Sequence, residues 1–226
     1  MKKYSAIIAA RSGSTRLPGK ALLPLKNIPM LTFLIRRLKT SQKINKLKLA
    51  TTKLSADDAL AKLAKNEGIN VFRGDENDVI KRFVEASNAE NIEYVVRITG
   101  DCPFVDGDTL DYCIEQCDKY DFDLATTKTY FPTGIDFEIY KASVMQHLHE
   151  TLLTIEEREH LTLPIYNRAK EYKIFDIQPP VIWPDWKHSF TVDTHQDYSF
   201  AKKVIEQFKD IDFSIISLLK NSHNLQ

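Results

Sequence analysis

The chain has 226 residues, 43% of them hydrophobic, with 31 basic and 31 acidic side chains that balance to a formal charge of zero. That length and apolar content can bury the core of one domain. Zero net charge, with no basic run interleaved with aromatics, argues against a nucleic-acid partner, and no apolar run is long enough to span a membrane.

In chain order, Tyr4–Ala9 reads as a buried strand that opens into Ala9-Ala10-Arg11-Ser12-Gly13-Ser14-Thr15-Arg16-Leu17-Pro18-Gly19-Lys20. Pro29 begins a predicted helix with Met30, Leu34 and Leu38 on one face. A second strand over 48–52 follows. Ser55 is predicted to cap a helix running to Asn66, with Gly68 just past its end. The pattern then gives a strand over 69–72, a helix built on Val79, Ile80, Phe83 and Val84, and a fourth strand, Tyr94–Thr99. The turn Gly100-Asp101-Cys102-Pro103 leads to a helix with Leu110, Ile114 and Cys117 on one side and a strand over 122–126.

After residue 127 the rhythm breaks. Residues 127–139 and 173–186 read as excursions containing Pro132, Pro179, Pro180 and Pro184, with a helical stretch over 155–169 between them. A last strand over 188–192 leads into Asp193 and a helix carrying Phe200, Val204, Ile205 and Phe208. Alternating strands and helices predict an α/β fold with a mostly parallel sheet covered on both faces, and ligands at the carboxyl ends of its strands. The expectation is a single domain over 1–226 with an excursion around 128–187.

Charge is distributed unevenly. Residues 1–56 hold thirteen Lys or Arg and no acid, Asp57 being the first, which leaves 18 basic and 31 acidic residues for the rest. Such a split makes a local positive field suited to a compact anion. Of these cations, Arg36, Arg37, Lys39, Lys43, Lys46 and Lys48 are expected to be mostly solvated, and Arg11, Arg16 and Lys20 functional. The small residues of the 11–20 loop let backbone N–H groups approach an anion, and its three cations can neutralise a polyphosphate. A nucleoside triphosphate is the expected ligand. The loop is neither Gly-x-x-x-x-Gly-Lys-Ser/Thr nor Gly-x-Gly-x-x-Gly, which argues against P-loop phosphotransferases and dinucleotide oxidoreductases.

Asp101 and Asp193 each follow a predicted strand directly, and two carboxylates near a phosphate loop are what Mg²⁺ requires. Taken alone, each reads better as a helix cap, and it is the Arg11–Lys20 loop in the same chain that tips the reading towards a metal ligand. Asp106-Gly107-Asp108 and Asp121-Phe122-Asp123 have the spacing of a glycosyltransferase metal pair, so a nucleotide-sugar-dependent glycosyltransferase is the second reading. A catalytically silent nucleotide-binding protein is the third, against which the intact Arg11, Lys20, Asp101 and Asp193 argue. Arg82 reads either as a nucleotide contact or as a solvated helix residue. His147 and His149, two apart, cannot share a helix face to bind zinc. Trp183 and Trp186 read as packing or dimer contacts. Cys102, Cys113 and Cys117 lack metal-ligand spacing and read as buried thiols. Residues 4–10 are too short for a signal peptide, so the expected location is the cytoplasm.

The segment from Ala9 to Lys20 resembles the signature loop of the nucleotide-sugar cytidylyltransferases (CMP-sugar synthetase-like), especially their spore-coat polysaccharide biosynthesis (SpsF-like) branch. Phe72-Arg73-Gly74-Asp75, Asp78-Val79 with Arg82, Arg97-Ile98-Thr99-Gly100-Asp101-Cys102-Pro103, Pro132-Thr133-Gly134-Ile135-Asp136, Arg158-Glu159-His160-Leu161-Thr162 and Thr191-Val192-Asp193-Thr194 extend the likeness to the last predicted strand. The resemblance implies a three-layer Rossmann-like (GT-A-like) nucleotidyltransferase fold. It also implies Mg²⁺-dependent transfer of CMP from CTP to a sugar acid or similar hydroxyl acceptor, with release of pyrophosphate, for surface polysaccharide or glycan biosynthesis. By the same resemblance, Ala9, Ala10, Arg11, Ser12, Gly13, Arg16, Lys20, Arg73, Gly74 and Asp101 surround the nucleotide, with Arg11, Lys20 and Asp101 catalytic. Asp101 and Asp193 would hold Mg²⁺, and Thr133, Gly134, Asp136, Arg158, Glu159 and His160 would face the acceptor or a subunit interface. A homodimer is implied as well. Ala21 stands where the sialic-acid-activating branch has asparagine, which points away from a sialic-type acceptor.

Overall fold

A computed structural model of the chain describes residues 2–89, 92–223 and 225. β1 (Tyr4–Ala9) is buried on both faces, as a central parallel strand must be. The 11–20 loop ends in a 3₁₀ turn, Lys20–Leu22, before a small hairpin of β2 (Pro24–Leu25) and β3 (Ile28–Pro29). The hairpin's two turn residues, Lys26 and Asn27, both have positive φ, as a two-residue turn matched to strand twist demands. α1 (Met30–Leu38) buries eight of its nine residues.

There follow β4 (Ile44–Thr52), α2 (Asp58–Asn66), β5 (Asn70–Gly74), α3 (Val79–Asn88), β6 (Tyr94–Thr99), α4 (Gly107–Cys117) and β7 (Leu124–Thr126). The second half adds β8 (Glu138–Lys141), α5 (Ala142–Glu150), α6 (Ile155–Glu159), α7 (Leu163–Asn167), β9 (Ile174–Asp176), α8 (His195–Glu206) and α9 (Ile215–Ser222). Seven strands form one sheet in the order β5-β4-β1-β6-β8-β7-β9, parallel except for β8, which runs against both neighbours. Helices cover both faces, so the fold is the expected three-layer α/β nucleotidyltransferase architecture. One apolar cluster joins the sheet to α1, α2 and α4, a second joins the other face to α3 and α5, and a third gathers α8, α9 and the hairpin around Phe33, Phe104 and Phe190.

Several elements differ from the sequence expectation. Residues 188–192 are not a strand: Phe190 N donates to Thr133 O (2.7 Å) and Val192 N to Asp101 O (2.8 Å), which satisfies the segment's backbone outside the sheet. Gly134 makes that contact possible. Its φ is +88°, and a Cβ there would stand 2.2 Å from Thr191 N. β8 and β9 lie at the ends of the two supposed excursions, and α5 and α9 were not foreseen. The 155–169 stretch is two short helices broken at His160, with Pro164 in the first turn of the second. Ser55 caps nothing and instead starts a 3₁₀ turn, Ser55–Asp57. Of the six cations expected to be mostly solvated, Arg37 and Lys48 are buried. Arg37 ties α1 to the carbonyls of Phe104 (3.0 Å), Ile211 (2.6 Å) and Phe213 (3.0 Å), and Lys48 Nζ donates to Ala86 O.

Candidate functional site

β1 and β6 are adjacent and in register, Ala9 opposite Thr99, so the 11–20 loop and the Gly100 turn leave the sheet side by side. Gly100 N donates to Ala9 O (2.8 Å), and a Cβ on Gly100 would lie 2.7 Å from that of Ala10. Only glycine lets the two strand ends stay this close. Between them opens a cleft of about 500 Å³ at the carboxyl edge of the sheet.

Lys20 stands at the centre of its charged groups. Its Nζ is 2.7 Å from Asp101 Oδ2 and 2.7 Å from Asp193 Oδ1, while Arg16 Nη2 reaches Asp193 Oδ2 at 3.0 Å. Neither carboxylate is spent as a cap. Asp106 caps α4, and a reciprocal pair of Thr194 and Asp197 caps α8. The bond from Val192 N to Asp101 O brings Asp193 beside Asp101. Burial disfavours the charge on Lys20, but Asp101 and Asp193 outweigh it and hold the ammonium above its ordinary pKa. Burial likewise pushes the Asp101 carboxyl up, and Lys20 overcomes it and holds the group below the usual range.

The loop is fastened from below by Asp57, the first acid in the chain, which carries no motif of its own. Asp57, 2% exposed, accepts from Ser12 N (2.7 Å) through Oδ1 and from Thr52 Oγ1 (2.5 Å) through Oδ2, while Ser12 Oγ donates to Ala56 O. Burial raises the Asp57 carboxyl, and the hydrogen bonds from Thr52 and Ser12 outweigh that and hold it low. Ser12 thus anchors the loop, while Ala9, Ala10, Arg11, Gly13, Arg16 and Lys20 line the cleft. The local signal for this anchor is an acid in the turn after β4, opposite a serine-rich loop.

The two arginines beyond β5 separate. Arg73 turns away from the cleft, donating to Thr52 O, Leu54 O and Asp58. Arg82 is buried rather than solvated and lines the cleft, its Nη1 on Asp75 O (2.6 Å) and its Nε without a partner. Burial and the nearby Arg11 lower its pKa. Gly74 gives Arg82 room, since a Cβ there would stand 2.8 Å from Arg82 Cγ.

On the far side, Glu159 and His160 line the cleft, with Glu159 3.9 Å from Arg11 across it. Arg158 is drawn to Asp78 Oδ2 (2.8 Å) at the start of α3. Thr133, Gly134 and Asp136 form the turn that holds Phe190 and Thr191, and they are not among the residues lining the cleft. Arg97, whose residue type and position on β6 alone assign it no role, does line it. The two Asp-x-Asp pairs build no site: Asp106 caps α4 and meets Arg37, and Asp121 pairs with Lys141 and Lys173. Trp183 packs edge-on against Phe131. Among the described residues no group of three or more His, Cys, Asp or Glu is placed to hold a metal, and no helix is long and apolar enough to cross a membrane.

The family model described as Cytidylyltransferase matches residues 5–220. The spore coat polysaccharide biosynthesis protein SpsF of Bacillus subtilis is 34% identical over 209 residues, which is 89% of this chain and 85% of that one. A solved cytidylyltransferase structure from Leptospira borgpetersenii superposes with a TM-score of 0.92 at 32% identity, covering 100% of this chain and 99% of that one. The CTP complex of a CMP:2-keto-3-deoxy-manno-octonic acid synthetase shares the fold, with a TM-score of 0.68, 17% identity and 91% and 99% coverage.

Proposed function

The chain belongs to the cytidylyltransferase family and is a nucleotidyltransferase, and from that premise we propose that it transfers CMP from CTP to a hydroxyl of a sugar acid or similar acceptor, releasing pyrophosphate, in a Mg²⁺-dependent step of surface polysaccharide or glycan biosynthesis. The observation that carries this reading is the convergence of Asp101 and Asp193 on one cation beside a loop bearing Arg11, Arg16 and Lys20. Two hard carboxylate donors aimed at a single positive charge fit Mg²⁺, which takes one or two carboxylates and fills its shell with water and phosphate oxygens. When bound, the metal would offset charge on the triphosphate and on the departing pyrophosphate.

The chain's own residues supply the rest. Arg11, Arg16 and Lys20 neutralise the phosphates, and the small side chains of Ala9, Ala10 and Gly13 admit them close to the backbone. Arg82 adds a fixed cation on the nucleotide side. The acceptor hydroxyl enters past Glu159 and His160 and attacks the α-phosphorus in line, and rate enhancement comes from positioning and charge neutralisation. Cytoplasmic location and a homodimer built on the region around 128–187 belong to the same reading.

Pyrophosphate release with CTP, UTP, GTP and ATP in turn, in Mg²⁺, tests it. Release is expected with CTP and an acceptor, and Asp101→Asn is expected to cut it by at least about 100-fold. Release that is indifferent to the base, or unaffected by Asp101→Asn, would contradict the proposal.

A further inference from the structure

Arg97 and Glu138 face each other across β6 and β8, directly paired in the antiparallel register. Glu138 is fully buried yet charged. Its Oε2 accepts from Arg97 Nη1 (2.9 Å) and Thr162 Oγ1 (3.0 Å), and its Oε1 from Tyr166 OH (2.8 Å), with Lys128 Nζ also at 2.9 Å. A carboxylate so fully satisfied has no capacity left for a ligand. Arg97 is the opposite case. Only Nη1 is engaged, Nε has no partner, and Nη2 makes no hydrogen bond among the described residues. The guanidinium stands in the cleft wall on the same strand face as Thr99, on the side where α6 and α7 bring Glu159 and His160.

A guanidinium clamped at Nη1, with Nη2 unspent in the wall of a cleft, is placed to donate to an anion. The triphosphate is already served by Arg11, Arg16 and Lys20 in the proposed function, on which this step rests. We propose that Arg97 recognises an anionic oxyacid group of the acceptor, a carboxylate or a phosphate, and that Glu138 acts as its positioning residue. Arg97 then sets acceptor specificity: Glu138 is shared between Arg97 and Lys128, so an anionic acceptor meets a surplus of positive charge and accepts from Nη2, whereas a neutral sugar covers that nitrogen without balancing the charge.

Calorimetric titration tests this with three probes: 3-deoxy-manno-octulosonate for a carboxylate, glycerol 3-phosphate for a phosphate, and glycerol as the uncharged control. Each is titrated with Mg²⁺ and a non-hydrolysable CTP analogue present, and CTP affinity is measured separately. Wild type is expected to bind one anion and not glycerol, which also distinguishes the two oxyacids. Arg97→Met is expected to weaken that anion by about 10- to 100-fold, the range of one charge-assisted hydrogen bond, and Arg97→Lys less. Glu138→Gln is expected to weaken it in the same direction. CTP affinity should stay unchanged in all three variants, which also reports that they are folded. Equal loss of CTP affinity in Arg97→Met, or no anion binding by wild type, would overturn the proposal. Absence of CTP binding in wild type, with an anion still held through Arg97, would sink the cytidylyltransferase reading and leave the anion site standing.

Discussion

Asp57 is where one side chain most clearly governs another's placement. Its two oxygens join the end of β4 to the start of the phosphate loop, through Thr52 and Ser12. Asp57→Asn keeps the shape and loses the charge that these donors favour, at a cost of about 1–3 kcal/mol. The loop's backbone then loses its fixed position, so KM for CTP is expected to rise about tenfold with little change in kcat. Steady-state kinetics at varied CTP would show it. The sign of the pH effect follows from the carboxyl being held low in the fold. Its contribution is complete above the ordinary carboxylate range, near pH 4, and is lost as pH falls through the lowered folded value. Thermal melts from pH 2 to 7 should therefore fall less steeply with acid in Asp57→Asn than in wild type. At this scale the cations of the small-residue 11–20 loop and the two acids Asp101 and Asp193 stood out together in the sequence, although Asp193 follows an irregular segment rather than the expected strand. The sequence could not separate Arg73 from Arg82. Arg73, on β5 beside β4, turns to the carbonyls of Thr52 and Leu54, whereas Arg82, on α3, turns into the cleft, and neither placement leaves a local trace in the sequence.

Among the elements, the 188–194 segment shows how irregular backbone can build a site. It reaches the cleft as an extended strap, fixed at Thr133 O and Asp101 O, and delivers Asp193 to Lys20. Gly134→Ala puts a methyl group against Thr191 N and demands a positive φ of a residue with a side chain. The expected cost is about 1–3 kcal/mol, read as a lower Tm. Activity in Mg²⁺ should drop more than CTP binding, because the strap carries Asp193, a metal ligand in the proposed function, and not the 11–20 loop. An unchanged Tm would show that the turn relaxes freely. The segment's apolar alternation looked like a strand, and its hydrogen bonds to two separate turns are not written in that alternation. β8 hid for the opposite reason: a charged Glu138 opens it, and a buried charge is legible only once Arg97, Lys128, Thr162 and Tyr166 are seen around it.

For the molecule as a whole, alternating strands and helices in the first half were enough to give a parallel α/β sheet with its site at the carboxyl edge. The antiparallel β8 and the order β8-β7-β9 were not legible, because pairing between distant short strands leaves no local periodic trace. Of the thirteen cations in the acid-free first quarter only Arg11, Arg16 and Lys20 line the cleft, while Arg37 and Lys48 spend theirs inside the fold. That asymmetry serves a single claim, that the cleft holds CTP and passes its α-phosphate to an acceptor hydroxyl. The direct test is to follow label from CTP carrying ³²P at the α or the γ position, with Mg²⁺ and an anionic acceptor. The account predicts α-label in a CMP–acceptor adduct and γ-label in pyrophosphate. Label from the γ position in the acceptor, or an adduct formed equally from UTP or GTP, would contradict it.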